Sequence, residues 1–270
     1  MSDKRTVLAV GAHPDDVEFG MAGTLILLRD AGFEPHIMTL ANGSCGTAQY
    51  DEKTIIRIRR GEATRAAALI GAIYHPGLVN DLEIFYCSEL TRRACAVVRK
   101  INPYITLLPS YDDYMEDHME TARVMVTAVF CKGMRNYFTI PRRKPVFGDA
   151  YVYHALPHGL RDGMNRRHEP ETYVCIDSVI DLKEQMLRCH KSQKHWLDVS
   201  QGMDSYLKIM REMNAEVARW SKQRGWKYAE GFRRHCHIGF SAEDKDPLRE
   251  ILRPYVCANP NYAKFLTSPR

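Results

Sequence analysis

The sequence is short of several features that would settle its class at once. Its eight cysteines form no C-x-x-C pair, which excludes a thioredoxin-like redox centre and a zinc-ribbon framework. No apolar run approaches the roughly 18 residues that a membrane span needs, so no membrane partner is expected. The polar opening Met1-Ser2-Asp3-Lys4-Arg5 runs straight into a strand-like segment with no signal-peptide core before it. A cytoplasmic location is therefore expected. There is no internal repeat, no low-complexity segment and no Ser/Gly-rich linker. One domain over residues 1–270 is expected, with a core in 1–150 and a substrate loop and helical part in 151–270. The excess of positive charge is small: 38 bases against 33 acids give +5, too little for a dedicated nucleic-acid binder. The runs Arg142-Arg143-Lys144 and Arg233-Arg234 come without a nucleic-acid motif and read as solvated faces.

What remains is an ordinary globular composition. The 270 residues are 45% apolar and 26% charged, enough to bury a sizeable core. Such a chain does not need disulfides, so the cysteines are expected to be free and mostly buried. Residues 6–12 are short, apolar and β-branched, as in a strand covered on both faces. Helical patterns over 17–30, 52–71, 88–100 and 119–131 alternate with strand patterns over 36–40, 104–108, 150–155 and 173–176. This alternation predicts an α/β fold with a mostly parallel sheet. Two helices, over 177–196 and 204–224, form a C-terminal helical elaboration, and residues 156–171 read as a long surface loop.

The chemistry concentrates at two strand-to-helix junctions. Ala12-His13-Pro14-Asp15-Asp16-Val17-Glu18 closes the first strand and opens the first helix, where parallel sheets bind ligands. A histidine and two carboxylates there suit half of a metal site. Spacing alone leaves open a plain helix cap by Asp15 or Asp16, with His13 a turn residue. The second junction, Tyr111-Asp112-Asp113-Tyr114-Met115-Glu116-Asp117-His118, makes His118 a candidate third ligand in the same crevice.

The first motif resembles the A-H-P-D-D-x-E signature of the PIG-L/LmbE-like zinc N-deacetylases, and the resemblance runs over residues 6–233. Thr39-Leu40-Ala41-Asn42-Gly43, Arg59-Arg60-Gly61-Glu62, Asn80-Asp81-Leu82-Glu83, Ile180-Asp181-Leu182-Lys183 and His190-Lys191-Ser192-Gln193 support it. It implies a Rossmann-like three-layer αβα fold and a metal-dependent hydrolase that removes the acetyl group from an N-acetylglucosaminyl-type or related N-acyl compound. It implies His13, Asp16 and His118 as ligands of one Zn²⁺ per chain, another divalent ion being an alternative, and Asp15 as general base. The expected partner is a small N-acetylated sugar or glycoside, with a homo-oligomer as the family's common state. Three protein ligands leave a fourth position for water, as in a catalytic zinc site.

One departure stands out. Met115 occupies the first position of the family's H-P-D-H motif, and methionine can neither donate a proton nor stabilise an oxyanion. Either another donor replaces that histidine, with His154, His158 and His190 as candidates, or protonated Asp15 returns the proton, or the chain is a metal-bound pseudoenzyme that binds sugar-like ligands without turnover. Arg59 is a candidate for a substrate hydroxyl or phosphate, against a surface pair with Glu62. Asp117 is a candidate to orient a ligand, against a helix cap. His190 either points into the site or packs in its helix. The loop over 157–163, which carries His158, is expected to help select the substrate. His235-Cys236-His237 reads as a strand or loop fragment.

Overall fold

In the computed structural model, residues 5–193, 206–262 and 264 are described. The apolar run at the start forms β1 (Thr6–Gly11), central in an eight-stranded sheet of order β3-β2-β1-β4-β5-β7-β6-β8. The first five of these are parallel: β2 (Glu34–Thr39), β3 (Ile73–His75), β4 (Ile105–Leu108) and β5 (Tyr151–Ala155) join β1. Alternate residues of β1 feed two separate cores. Val7 and Ala9 pack on one face, Leu8 and Val10 on the other, which produces three layers.

Helices α4 (Ser88–Ile101) and α5 (Glu116–Phe130) cover one face through Leu90, Ala94, Val98, Val124 and Met125. The other face is covered by α2 (Ala22–Asp30), α6 (Ile180–Leu187) and α7 (Tyr206–Ser221), with the end of α3 (Glu52–Ala68). Asp51 caps α3 by accepting from the Thr54 amide at 2.8 Å.

The helix expected over 17–30 is divided. Met21, at φ −145° and ψ 2°, separates a short α1 (Asp16–Gly20) from α2. The helices expected over 177–196 and 204–224 correspond to α6 and α7; residues 194–205 lie outside the described part. The last third also extends the sheet. Strands β6 (Thr172–Cys175), β7 (Ala229–Arg234) and β8 (Val256–Ala258) pair antiparallel, and a short α8 (Pro247–Ile251) lies between β7 and β8. β7 and β8 carry no clear strand pattern in the sequence, since β7 reads Ala-Glu-Gly-Phe-Arg-Arg. The cysteines are free, but only Cys95, Cys131 and Cys175 are buried, so the expectation of mostly buried thiols is corrected. Among the described residues, no helix is long and apolar enough to cross a membrane.

Candidate active site

β1 and β4 are neighbours, and the loops that leave their carboxyl ends bring the two junction motifs together. Gly11 is required at the end of β1, because a Cβ there would lie 2.7 Å from Cβ of Asp16. Asp15 adopts φ 121°, a left-handed conformation that costs a residue with a side chain about 1–3 kcal/mol. The two adjacent carboxylates have different partners. Asp16 Oδ2 accepts from the His13 amide at 2.7 Å and lies 3.6 Å from both His13 Nδ1 and His118 Nε2. Asp15 instead accepts from Arg59 Nη2 at 3.2 Å and from the hydroxyl of Tyr206.

Ligand atoms of His13, Asp16 and His118 lie within 4.8 Å of one another, the one such group found among the described residues. The outer nitrogen of each histidine is bonded. His13 Nε2 donates to Asp117 Oδ2 at 2.9 Å, and His118 Nδ1 donates to Asp113 Oδ1 at 3.0 Å. Because a carboxylate only accepts, each ring carries a proton on its outer nitrogen, and its inner nitrogen, facing Asp16, is the one that offers a lone pair to a metal once it gives up its own proton. Two imidazole lone pairs and one carboxylate oxygen on a common point fit a divalent metal such as zinc. Asp117 Oδ2 also accepts from the Leu82 amide at 2.8 Å, and Asp113 Oδ1 from the Met115 amide at 3.2 Å.

The electrostatics match this donor set. Burial works against charge on His13, yet its bonds to Asp117 and Asp16 outweigh burial and raise its pKa to about 10. His118 is likewise raised: burial opposes charge, and Asp16 and Asp113 prevail. Asp16 is lowered despite burial by the two histidines. The site is thus an anionic pocket that favours a cation. Burial pushes the Asp15 carboxyl up to about 6, with Arg59 pulling against it.

These groups line one cavity of about 390 Å³, within the size range of small-molecule sites. Phe19, Tyr114, Met115, Leu156, His158 and Met213 supply much of its wall. Arg59 is buried at 2% exposure and donates to the Pro14 carbonyl at 2.6 Å, so it is not a helix-surface pair with Glu62. Glu62 accepts from Ser192 N and Oγ at 3.0 and 2.6 Å. A Cβ at Gly43 or Gly46 would lie 2.6 or 2.3 Å from the Arg59 side chain, so the loop after β2 is cleared for it.

The remaining candidates fall in different places. Asp117 orients His13 rather than its neighbour His118. His158 faces the cavity. His190 does not line it; the ring is 1% exposed beside Glu18, with Nε2 3.5 Å from Oε2. His154 is also off the cavity: Nδ1 donates to the Pro109 carbonyl at 2.8 Å and Nε2 accepts from His235 Nδ1 at 3.1 Å. Asp113, Asp81 and Tyr206 were not assigned from the sequence. Asp113 had a local signal, a carboxylate five residues before His118. Asp81 accepts from the Gly43 and Cys45 amides at 2.7 and 2.9 Å and so pins that loop. Tyr206 is 191 residues from Asp15, beyond any local pattern.

Residues 8–129 match the family model described as PIG-L, GlcNAc-PI de-N-acetylase. The chain is 28% identical over 240 residues to the diacetylchitobiose deacetylase of Thermococcus kodakarensis, covering 86% of this chain and 84% of that relative. It is 26% identical over 200 residues to the 4-oxalmesaconate hydratase of Pseudomonas putida, covering 71% and 75% respectively. The crystal structure of the 4-carboxy-2-hydroxymuconate hydratase of Pseudomonas putida superposes with a TM-score of 0.72 at 22% identity, covering 86% of this chain and 96% of that one. That last likeness is one of fold, the mostly parallel α/β sheet described above.

Proposed function

Because residues 8–129 match the PIG-L family model, we propose that this chain is a zinc-dependent hydrolase that removes the acetyl group from an N-acetylglucosaminyl-type substrate. One observation carries the reading. Three donor atoms on His13, Asp16 and His118 converge within 4.8 Å, beside a buried Asp15 whose carboxylate is held by other partners. When bound there, the ion polarises the substrate carbonyl and acidifies a water molecule.

The chain's own residues do the rest. Asp15 takes the proton of the attacking water, and its burial keeps the carboxyl basic enough for that transfer near neutral pH. Arg59 and Tyr206 hold one carboxylate oxygen each, which fixes the direction in which Asp15 accepts. Asp117 and Asp113 keep the two imidazoles aligned. The water oxygen bonds to the carbonyl carbon, the C–N bond breaks, and the proton held by Asp15 passes to the departing nitrogen. The products are acetate and a free amine. The cavity suits a sugar residue with its N-acetyl group directed at the metal.

Metal analysis joined to an acetate-release screen tests this. Zinc-loaded protein releases acetate from N-acetylated sugars or glycosides, and Asp15→Ala lowers the rate at least about 100-fold with metal content unchanged. No release across a broad panel of such amides sinks the reading. The hydratase relative and the missing donor at Met115 favour a second reading, in which Asp15 takes a proton from water, the oxygen adds to one carbon of a conjugated C=C bond and the proton passes to the other. Loss of the ultraviolet absorbance of unsaturated carboxylates would identify it. Tight zinc binding with neither activity would leave the pseudoenzyme.

A further inference from the structure

Met115 stands at the start of α5 and lines the cavity with a side chain that has no donor. We propose that His158, reaching the same cavity from the turn after β5, donates the hydrogen bond to the developing oxyanion that the residue at 115 cannot. This deepens the hydrolase reading and rests on it.

Three observations lead here. First, the other two candidate histidines are excluded by their surroundings, His154 by its bonds to Pro109 and His235, and His190 by burial beside Glu18. Second, His158 differs from the cavity histidines His13 and His118, each of which has its outer nitrogen tied to a carboxylate. Among the described residues, neither ring nitrogen of His158 has a hydrogen-bond partner, so an N–H is available to whatever occupies the cavity. The ring is held by apolar contact instead. Its centroid lies 4.7 Å from that of Phe19 and 6.0 Å from that of Tyr114, which in turn lies 5.6 Å from His118. Third, the backbone is set for the purpose. Gly159 and Leu160 are both left-handed, at φ 75° and 60°, and the Leu160 amide closes the turn on the Pro157 carbonyl at 2.9 Å. Leu160 is buried against Tyr173, Val217 and Ala229, so its packing holds a strained turn that presents the neighbouring imidazole. A neutral imidazole N–H aimed at an oxygen that gains charge stabilises the transition state more than the ground state.

The test uses zinc-loaded full-length protein and methylphosphonate, a tetrahedral anion that mimics the attacked carbonyl. Wild type is expected to bind it, His158→Ala and His158→Gln to weaken its Kd at least tenfold with unchanged zinc content, and His158→Ala/Met115→His to recover most of the loss. On an active substrate the same variants should lose kcat by about 100-fold with KM nearly constant. No binding by folded wild type, unchanged affinity in both single variants, or a loss reproduced by Tyr114→Phe would overturn the proposal. If the phosphonate effect appears while no acetate is released from any amide, the hydrolase reading falls and the donor role of His158 stands.

Discussion

Asp117 and Asp113 each accept from the outer nitrogen of an imidazole and thereby decide which nitrogen faces Asp16, the one that would bind the proposed metal. Removing that acceptor does not remove a ligand, yet it frees the ring to change tautomer and to rotate. Asp117→Asn is expected to weaken zinc binding about 10- to 100-fold, read by competition with a chromogenic chelator, while the fold persists. Unchanged affinity would mean that His13 is held by something other than this bond. At this scale the sequence was informative where the chemistry is local. His13, Asp15 and Asp16 share one turn, and His118 opens the facing helix. It was silent where partners are far apart. The acceptor for His13 lies 104 residues away, and the hydroxyl that bonds Asp15 lies 191 away. His190 was left open between the site and a packed position for a related reason: a helix histidine does not reveal which of its neighbours is a buried glutamate.

A buried carboxylate joins the two halves of the chain at the level of elements. Glu230 on β7 accepts from the Gly23 and Thr24 amides at 2.9 and 2.8 Å, so it caps α2 where Met21 breaks the helix. Its charge is matched by Lys183 of α6, whose Nζ lies 2.6 Å from Oε1, both side chains being nearly inaccessible. Lys183→Met is expected to cost about 3–5 kcal/mol in urea unfolding, because it strands a carboxylate in a dry interior. Lys183→Met/Glu230→Gln should recover part of that loss; a double variant no better than the single one would count against the pairing. This pair also explains why β7 escaped notice. A strand that buries a glutamate and ends in two arginines lacks the apolar alternation by which strands are recognised. The parallel strands β1, β4 and β5 were visible because both of their faces are apolar.

Across the whole molecule, acid should act through histidines that the fold keeps neutral. Unfolded, His154 takes up a proton near pH 6.5; folded, burial holds it neutral down to about 3. Between those values the unfolded chain binds the extra proton, so stability falls as pH falls, by up to about 1.4 kcal/mol per pH unit. From pH 7 to pH 5 this one group removes about 2 kcal/mol, and His75, pushed down to about 4 by burial, acts in the same direction. His13 and His118 are raised and act oppositely, so the useful measurement is a difference. His154→Gln is expected to lose about 2 kcal/mol less than wild type over that interval by urea titration. Equal losses would show that His154 is protonated in the folded protein. The order in which the site is built along the chain has a consequence of its own. All three donors that face Asp16's side of the pocket are synthesised by residue 118, whereas the tyrosine that steadies Asp15 is not translated until residue 206. A chain emerging from the ribosome therefore carries the three proposed ligands and Asp15 well before the tyrosine that holds Asp15 in place.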